Sequence, residues 1–351
     1  MALYHHQIDD FVELTLNRFK KNEWVDISLP LQEYKFAGRV FEAKKKAERG
    51  GARLEWKLRT KNQGTAKHSG LFAVDDTNRR NVMTNGKQEW SKQTVNYIYD
   101  IDEENFQSGA ETIIREMQLL EQGLYNDFFE LMETAMWTAP SSSSLDPMPP
   151  AGIPFWLQKN DTLGFNGGNP DGWSSGAGTV DSTVYDRWKN YSGTYKQVSR
   201  DDLVEKIVNA CDFTYFKAPK SYAEIGGGKP DYEFVTVHSV LATMRRLLQA
   251  GNDNLGADVA KWAGNVLIKG NPVDWCPAIS NSDSEAYDSQ APFYGINWKK
   301  FEYYFKTGRN MMKHAPVKAA NQHTVRERHM DNWGNFVCYD RRQGGFVFHV
   351  A

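Results

Sequence analysis

The longest periodic stretch of the sequence predicts an amphipathic α-helix over residues 108–138. Its apolar side chains recur at steps of three and four residues, a spacing that places them on one face of a helix. Ser108 followed by Glu111 has the form of a capping box, and Pro140 is a stop signal. Such a helix would be about 45 Å long. The apolar positions are Ile113, Met117, Leu120, Leu124, Phe128, Leu131 and Ala135.

A polar two-stranded arm is predicted before this helix. Residues 53–59 alternate polar with apolar side chains, and residues 94–99 are interpreted as the returning strand. Because an isolated hairpin is marginally stable in water, we expect the arm to project and to lean on another part of the molecule. A short amphipathic helix is also predicted over residues 8–20, among a polar N-terminal segment.

The second half of the chain predicts a mixed α+β architecture. Residues 139–178 are rich in Ser, Pro and Gly, which favours an irregular loop or surface insertion. Helical and extended patterns alternate over residues 195–290, which indicates a compact α/β subdomain. The last sixty residues are rich in predicted strands, and we expect them to form an antiparallel sheet beside the long helix.

Composition narrows the class of protein. A chain of 351 residues is long enough for two or more subdomains, and a net charge of -2 argues against a general nucleic-acid binder. No apolar run approaches the roughly 20 residues of a membrane span, and no signal peptide is visible, so a cytoplasm is the expected place of folding. Cys211, Cys276 and Cys338 have no paired spacing and are predicted to be reduced and buried.

Charge is unevenly distributed along the chain. Residues 35–61 hold ten Lys or Arg and three Glu, whereas residues 100–134 hold ten Asp or Glu and one Arg. Either both runs are simply solvated faces, or the basic arm and the acidic helix guide the register between neighbouring copies of the chain.

No catalytic constellation, cofactor motif or metal-ligand spacing stands out. Residues 172–176 match the G-x-S-x-G pattern around Ser174, but a nucleophile elbow needs a strand before it and a helix after it. The glycine run at 226–228 lacks the Lys-Ser/Thr pair of a phosphate loop, and the histidines show no zinc-site spacing. The eleven tryptophans are scattered singly, which favours packing over sugar binding. We therefore predict a non-enzymatic protein without cofactor or metal.

The order of these parts resembles the major capsid proteins of tailed bacteriophages, the Hong Kong 97 fold. Residues 267–273, Leu-Ile-Lys-Gly-Asn-Pro-Val, are similar to a strand-then-turn element late in the central lobe of many such proteins. Residues 292–297 and 335–342 are similar to the closing region of capsid subunits. The resemblance implies an N-terminal arm over 1–48, an extended hairpin loop over 49–100 and an α/β axial domain over 195–290. The peripheral domain would comprise 101–194 and 291–351, with the spine helix 108–138 and the insertion loop 139–178.

The implied function is structural. The chain would self-assemble through homo-hexamers and pentamers into the icosahedral shell of a virion, put together in the host cytoplasm around phage double-stranded DNA. Scaffold, portal and decoration proteins are further candidate partners, and no membrane is implied. The implied contacts between subunits join basic residues of the arm to acidic residues of a neighbour's helix. These are Arg53, Lys57, Arg59 and Lys61 on one side, and Asp102, Glu103, Glu104 and Glu111 on the other.

Three alternatives stay open at this point. An encapsulin, a bacterial compartment shell that packs an enzyme, would share the fold. A hydrolytic or carbohydrate-active enzyme would use Ser174 or tryptophan-rich loops. A portal or tail protein fits less well, because a basic hairpin followed by one long helix is not typical of either.

Overall fold

The computed structural model describes most of the chain after residue 33. The described ranges are 34–41, 45–48, 50–74, 81–102, 110–215, 230–250, 266–279 and 290–351, with side chains omitted at 110–117 and 248–250. The predicted helix over 8–20, the cap at Ser108 and the glycine run at 226–228 lie outside these ranges.

A six-stranded sheet forms one half of the molecule, and its central strand is β14. β4 runs along one side of β14, while β11, β12 and β13 follow one another along the other side, and β1 adds to β11 in parallel. The strands are β1 (Lys45–Glu48), β4 (Ser91–Asp100), β11 (Phe301–Lys306), β12 (Met312–Lys313), β13 (Val317–Lys318) and β14 (Val325–Cys338).

A seven-stranded mixed sheet forms the other half. Its strand order is β5-β6-β15-β10-β7-β9-β8, and the β8–β9 connection is a two-residue turn in which Lys269 and Gly270 both have positive φ. The strands are β5 (Gly164–Gly167), β6 (Asn190–Tyr195), β7 (Tyr232–Thr236), β8 (Leu267–Ile268), β9 (Asn271–Trp275), β10 (Phe293–Asn297) and β15 (Gly345–Val350).

Helices pack on both sheets, and a separate hairpin stands beside the six-stranded one. The hairpin pairs β2 (Arg53–Arg59) with β3 (Met83–Glu89). A π-helical turn, Arg200–Val204, leads into the fourth helix, and short 3-10 turns occur at 177–179 and 186–188. The helices are α1 (Lys35–Arg39), α2 (Ala110–Met136), α3 (Ile153–Trp156), α4 (Glu205–Thr214), α5 (His238–Ala250) and α6 (Arg341–Gly344).

The long helix is confirmed as α2, but its buried face differs from the predicted one. Leu124 and Phe128 are buried as expected, whereas Leu131 is 48% exposed. The buried stripe continues instead through Met132 and Met136, at steps of four residues. The reason is that α1 packs against this side of α2 and extends the buried arc toward it.

The predicted partner of the first hairpin strand is wrong. Residues 53–59 do form a strand, but they pair with 83–89, and residues 94–99 belong to β4 of the six-stranded sheet. The real returning strand, with the sequence MTNGKQE, has almost no apolar or β-branched residue. The alternation of polar and apolar residues therefore indicated β4, the next strand along the chain, as the partner of β2.

The segment 139–178 is not a surface insertion. Many of its apolar residues lie in the core, including the fully buried Ile153, Phe155 and Trp156, whereas Leu145 and Leu163 are exposed. Gly152 passes so close to the end of α2 that a Cβ would fall 2.2 Å from the carbonyl oxygen of Thr138. The high content of Ser, Pro and Gly hid a buried segment with little regular structure.

The predicted boundary at residue 291 does not divide the two sheets. β10 and β15 belong to the last sixty residues, yet they pair with each other and with β7 and β6 of the seven-stranded sheet. Of the strands in this region, only β11 to β14 lie in the antiparallel sheet expected there, and β14 is one continuous strand of 14 residues. Within these last sixty residues the chain therefore crosses between the sheets twice, at 298–300 and at 339–344.

Candidate assembly surfaces

The β2–β3 hairpin has an apolar side that packs on the body. The indole of Trp56 lies 6.2 Å from the ring of Trp156 and 6.4 Å from that of Tyr339. Gly86 lies opposite Trp56 on β3, and a Cβ there would come within 2.4 Å of the indole. The hairpin therefore packs on the body through the apolar side of β2, and the predicted contact between the arm and the body is confirmed.

The other side of the hairpin carries charges, and two pairs of them neutralise each other across the strands. The guanidinium Nε of Arg53 lies 3.4 Å from a carboxylate oxygen of Glu89, and the ammonium of Lys87 lies 3.9 Å from Glu55. All four side chains are well exposed, so each pair contributes at most about 1 kcal/mol to stability. Arg53 thus has an ionic partner within its own hairpin.

Two of the predicted contact residues face outward beside neutral neighbours. Lys57 and Arg59 are exposed and lie opposite Asn85 and Met83 in the strand register. The ammonium of Lys61, by contrast, lies 5.8 Å from the ring centroid of Tyr185. Lys57 and Arg59 are therefore better placed for a neighbouring molecule than Arg53 and Lys61 are.

Only one of the predicted acidic partners can be located. Asp102 is exposed in the turn after β4, where its backbone N–H donates to the carboxylate of Asp100 at 3.1 Å. Glu103 and Glu104 lie outside the described ranges, and Glu111 belongs to α2 in the part where side chains are not described. The pairing of the basic arm with these acids stays a prediction.

The end of the hairpin exposes three large apolar side chains. Leu71 is 95% exposed, Phe72 101% and Val74 86%, and the ammonium of Lys67 donates to the carbonyl of Val74. Apolar side chains that are exposed together indicate an interaction site. We name residues 71–74 the apolar tip. The sequence shows the apolar residues, but only the fold shows that none of the described body covers them.

A second exposed apolar surface lies on the six-stranded sheet, on the face away from α2. Ile98 of β4 and Val317 of β13 flank Glu327 of β14 in one row, and Met312 lies on the same face. Ile98, Val317 and Met312 are all exposed. We name this surface the open face of the sheet. No sequence signal marked it, because β12 and β13 are only two residues long.

A basic and aromatic cluster continues the open face. The ring of Trp333 on β14 has the ammonium of Lys92 at 5.9 Å and that of Lys306 at 5.3 Å from its centroid. Next to it, the carboxylate of Asp331 lies 3.1 Å from the His314 ring. Burial raises the pKa of Asp331, but hydrogen bonds from Thr94 and His314 outweigh it and hold the pKa below its ordinary value.

A cavity of about 410 Å³ lies where the base of the hairpin meets the six-stranded sheet, lined by residues 50–56, Tyr304 and Tyr339. Behind it the carboxylate of Glu302 lies 2.5 Å from the ammonium of Lys46, and it accepts hydrogen bonds from both tyrosine hydroxyls. Burial raises the pKa of Glu302, but hydrogen bonds from Lys46, Tyr339 and Tyr304 outweigh this effect and hold the pKa below its ordinary value. The network fixes β1 on β11.

The structure does not give Ser174 the setting of a catalytic nucleophile. Ser174 lies exposed in a turn, with no strand directly before it and only a 3-10 turn after it, within the continuous described range 110–215. The neighbouring Trp173 is buried and donates its indole N–H to the carbonyl of Pro140 at 3.0 Å. The G-x-S-x-G match thus comes from a tight, glycine-rich packing turn.

The three cysteines are free and buried, as predicted. Burial raises the pKa of the Cys211 thiol to about 12 and raises that of Cys276 and Cys338 as well. Among the residues that the structure describes, no group of three or more His, Cys, Asp or Glu could hold a metal ion. None of the described helices is long and apolar enough to cross a bilayer.

No protein-family model and no curated protein matches this sequence. Solved structures do match its fold. The capsid asymmetric unit of cyanophage A-1(L) has a TM-score of 0.62 at 12% identity and covers 96% of this chain and 98% of its own. The capsid of a native GTA particle has a TM-score of 0.60 at 11% identity, with 96% and 95% covered. The holo-SrpI encapsulin complex from Synechococcus elongatus has a TM-score of 0.50 at 10% identity, with 99% and 96% covered.

The matches extend over both sheets, α2 and the hairpin, since they cover nearly the whole chain. At such low identity they establish shape and not shared chemistry. The predicted α+β fold class is confirmed: this chain has the fold of phage capsid proteins.

Proposed function

We propose that this chain is a structural major capsid protein, which self-assembles through hexamers and pentamers into an icosahedral shell around phage double-stranded DNA. The observation that carries the proposal is the combination of a capsid fold with an exposed apolar tip on a projecting hairpin. A protein that works as a monomer rarely leaves such side chains uncovered.

The parts of the fold take the following roles in this proposal. The six-stranded sheet with α2 is the peripheral domain, and the lobe built around α4, α5, β7 and β9 is the axial domain that meets neighbours at the centre of a capsomer. The β2–β3 hairpin is the extended loop, and residues before 49 are the N-terminal arm.

Assembly then follows from contacts between unlike surfaces. The apolar tip of one subunit covers part of the open face of the next, so that two incomplete surfaces become one packed interface. Because such head-to-tail contacts are heterologous, they generate closed rings when their rotation closes. A stable interface buries on the order of 1,200–2,000 Å², and several weak contacts around a ring reinforce one another.

Charge guides the register of these contacts. The outward Lys57 and Arg59 meet acidic groups at the start of the neighbour's α2, with Asp102 as the located candidate. Exposed ionic contacts of this kind add more to orientation and association rate than to affinity.

Packaged DNA, scaffold, portal and decoration proteins are the further partners in this proposal, and the shell is put together in the host cytoplasm. With a net charge of -2, contacts of the inner surface with DNA are weak, nonspecific and sensitive to salt.

The test is negative-stain electron microscopy of the purified chain, alongside its size in solution. We expect closed particles, or hexamers and pentamers. The variant Leu71→Ser, Phe72→Ser and Val74→Ser should remain folded and monomeric, since these side chains are already exposed to water.

A matched control is Leu163→Ser with Val184→Ser, which removes two exposed apolar side chains elsewhere on the surface. It should assemble like the wild type. A wild-type chain that stays monomeric with or without co-expressed scaffold would overturn the proposal.

An encapsulin is the second candidate, favoured by the likeness to the Synechococcus elongatus shell. The contents of the purified particle separate the two functions. Nuclease-protected double-stranded DNA supports the phage capsid, and a co-purifying enzyme without nucleic acid supports the encapsulin.

A further inference from the structure

Residues 34–41, which contain α1, lie where α2 and the two sheets meet. We name them the clamp segment. The ring of Phe36 lies 5.0 Å from that of Phe336 on β14, and the ring of Phe41 lies 5.2 Å from that of Tyr303 on β11. Both phenylalanines are buried. The aromatic side chains therefore fix the segment on the six-stranded sheet.

The cations of the same segment reach the other sheet. The ammonium of Lys35 lies 3.3 Å from the carboxylate of Asp274 on β9. The guanidinium of Arg39 lies 2.9 Å from Asp231, just before β7, and 3.8 Å from Glu233 within it. All three carboxylates belong to the lobe of the seven-stranded sheet, so eight residues connect the two halves of the molecule.

A buried carboxylate attaches the clamp segment to α2. Glu133 is fully buried, and its oxygens accept hydrogen bonds from the backbone N–H groups of Phe36 at 2.8 Å and Ala37 at 2.9 Å. These N–H groups belong to the first turn of α1, where a helix has no partner of its own for them. Glu133 also accepts from the indole N–H of Trp137 at 2.9 Å. Removing the segment would leave this carboxylate buried with fewer donors.

The clamp segment differs from the covalent crossings at 298–300 and 339–344, because it is held by packed rings, ion pairs and hydrogen bonds to Glu133. Because packed interfaces switch between discrete arrangements and do not deform continuously, we expect the segment to be either docked or released. Release would also leave Asp231, Glu233 and Asp274 without Lys35 and Arg39 between them, and like charges repel.

We propose that the clamp segment is a releasable tie that holds the two sheets in one relative position, so that its release allows them to move. The tie is a property of the single subunit and does not depend on the chain forming a shell.

Hydrogen exchange of the full-length chain tests this inference, with the double variant Lys35→Ala and Arg39→Ala. We expect the amides of Phe36 and Ala37 to exchange about 10- to 100-fold faster. The exchange should also rise in β7 and in the last two turns of α2, while the β4–β14 ladder keeps its protection. A control, Lys189→Ala with Lys206→Ala, removes two cations that are paired with Asp186 and Asp202 within one lobe. It should leave all these amides unchanged.

Faster exchange confined to residues 34–41 would overturn the inference, because release of the segment would then leave β7 and α2 unaffected. Unchanged exchange throughout would overturn it equally. Glu133→Gln weakens the contact between the clamp segment and α2. It must also speed hydrogen exchange in residues 34–41, in β7 and in the last two turns of α2. If either variant does not fold, the other provides the same readout.

Discussion

The clamp segment and β2 both belong to the basic run at residues 35–61, but their cations lie in different environments. In the clamp segment, Lys35 and Arg39 are paired with carboxylates of their own chain, and the phenylalanines beside them are buried. In β2, Lys57 and Arg59 face solvent beside neutral residues, and the strand has only one apolar side.

The difference lies in the neighbours and not in the charges. Phe36 and Phe41, five residues apart on a helical turn and its extension, insert into a core already formed by α2 and β14. Leu54, Trp56 and Leu58 alternate along a strand, so only every second side chain contacts the body. In β2 the strand places its cations on the side away from Leu54, Trp56 and Leu58. The helical turn of the clamp segment instead brings Lys35 and Arg39 beside carboxylates of the same chain.

The largest contrast between the two regions should appear in thiol chemistry. Cys276 lies beside Glu133 at the clamp, where burial raises its pKa. A cysteine placed in the exposed hairpin loop by Ser69→Cys should react with a thiol reagent at pH 7.5 on the order of 1,000-fold faster than Cys211, Cys276 or Cys338. The measurement is the rate of reagent uptake by the native variant, with the unfolded chain as control. Equal rates would mean that the core opens freely.

The two regions should also differ in their contribution to stability. Phe36→Ala leaves a cavity between β14 and Trp298, and we expect it to lower the free energy of unfolding by about 3–5 kcal/mol. Leu71→Ala in the apolar tip should change it by less than about 0.5 kcal/mol. Urea unfolding of the isolated chain measures both. A large effect at Leu71 would show that the tip packs on its own subunit.

Glu133→Gln should have a smaller effect, about 1–3 kcal/mol, because the amide retains one acceptor oxygen for the N–H groups of α1. Asp127→Asn, an exposed change on the same helix, is the control and should be neutral.

The effect of Glu133 should also depend on pH. Burial raises its pKa above the ordinary value of 4.5, although hydrogen bonds from Ala37, Phe36 and Trp137 oppose the rise. The folded chain then holds this proton more tightly than the unfolded chain does. The contribution of the carboxyl is fully present below pH 4.5 and is lost as the pH rises through the raised folded pKa. The stability gap between wild type and Glu133→Gln should therefore narrow across that window; a widening gap would contradict the assignment.

These results separate what the sequence predicts from what only the fold shows. The existence of α2, of the strand at 53–59 and of the buried cysteines follows from periodicity and spacing, which are local signals. The partner of β2 does not, because β3 has the composition of a polar loop and only pairing makes it a strand. The core position of residues 139–178 is likewise set by long-range contacts, such as that of Ala151 N–H with Asn335.

The sequence predicts the candidate surfaces only in part, again because contacts between distant residues decide the rest. Composition identified the basic arm, but which cations remain outward depends on the strand register, which places Glu89 opposite Arg53 and Asn85 opposite Lys57. The open face of the sheet combines β4 with β13 and β14, which follow much later in the sequence. No local pattern could indicate it.

The smallest effect on the single chain, and the sharpest test of the comparison, is charge reversal on β2. Lys57→Glu with Arg59→Glu should change the free energy of unfolding by less than about 0.5 kcal/mol, since both side chains are exposed. In this proposal the variant should fail to form particles, as judged by negative-stain microscopy. The control is the swap Arg53→Glu with Glu89→Arg, which keeps an ionic pair within the hairpin and should assemble normally. Adding Asp102→Lys to the reversed variant should restore part of the assembly, because opposite charges would again face each other between subunits. Normal particles from the reversed variant would show that Lys57 and Arg59, unlike the cations of the clamp segment, make no ionic contact that assembly requires.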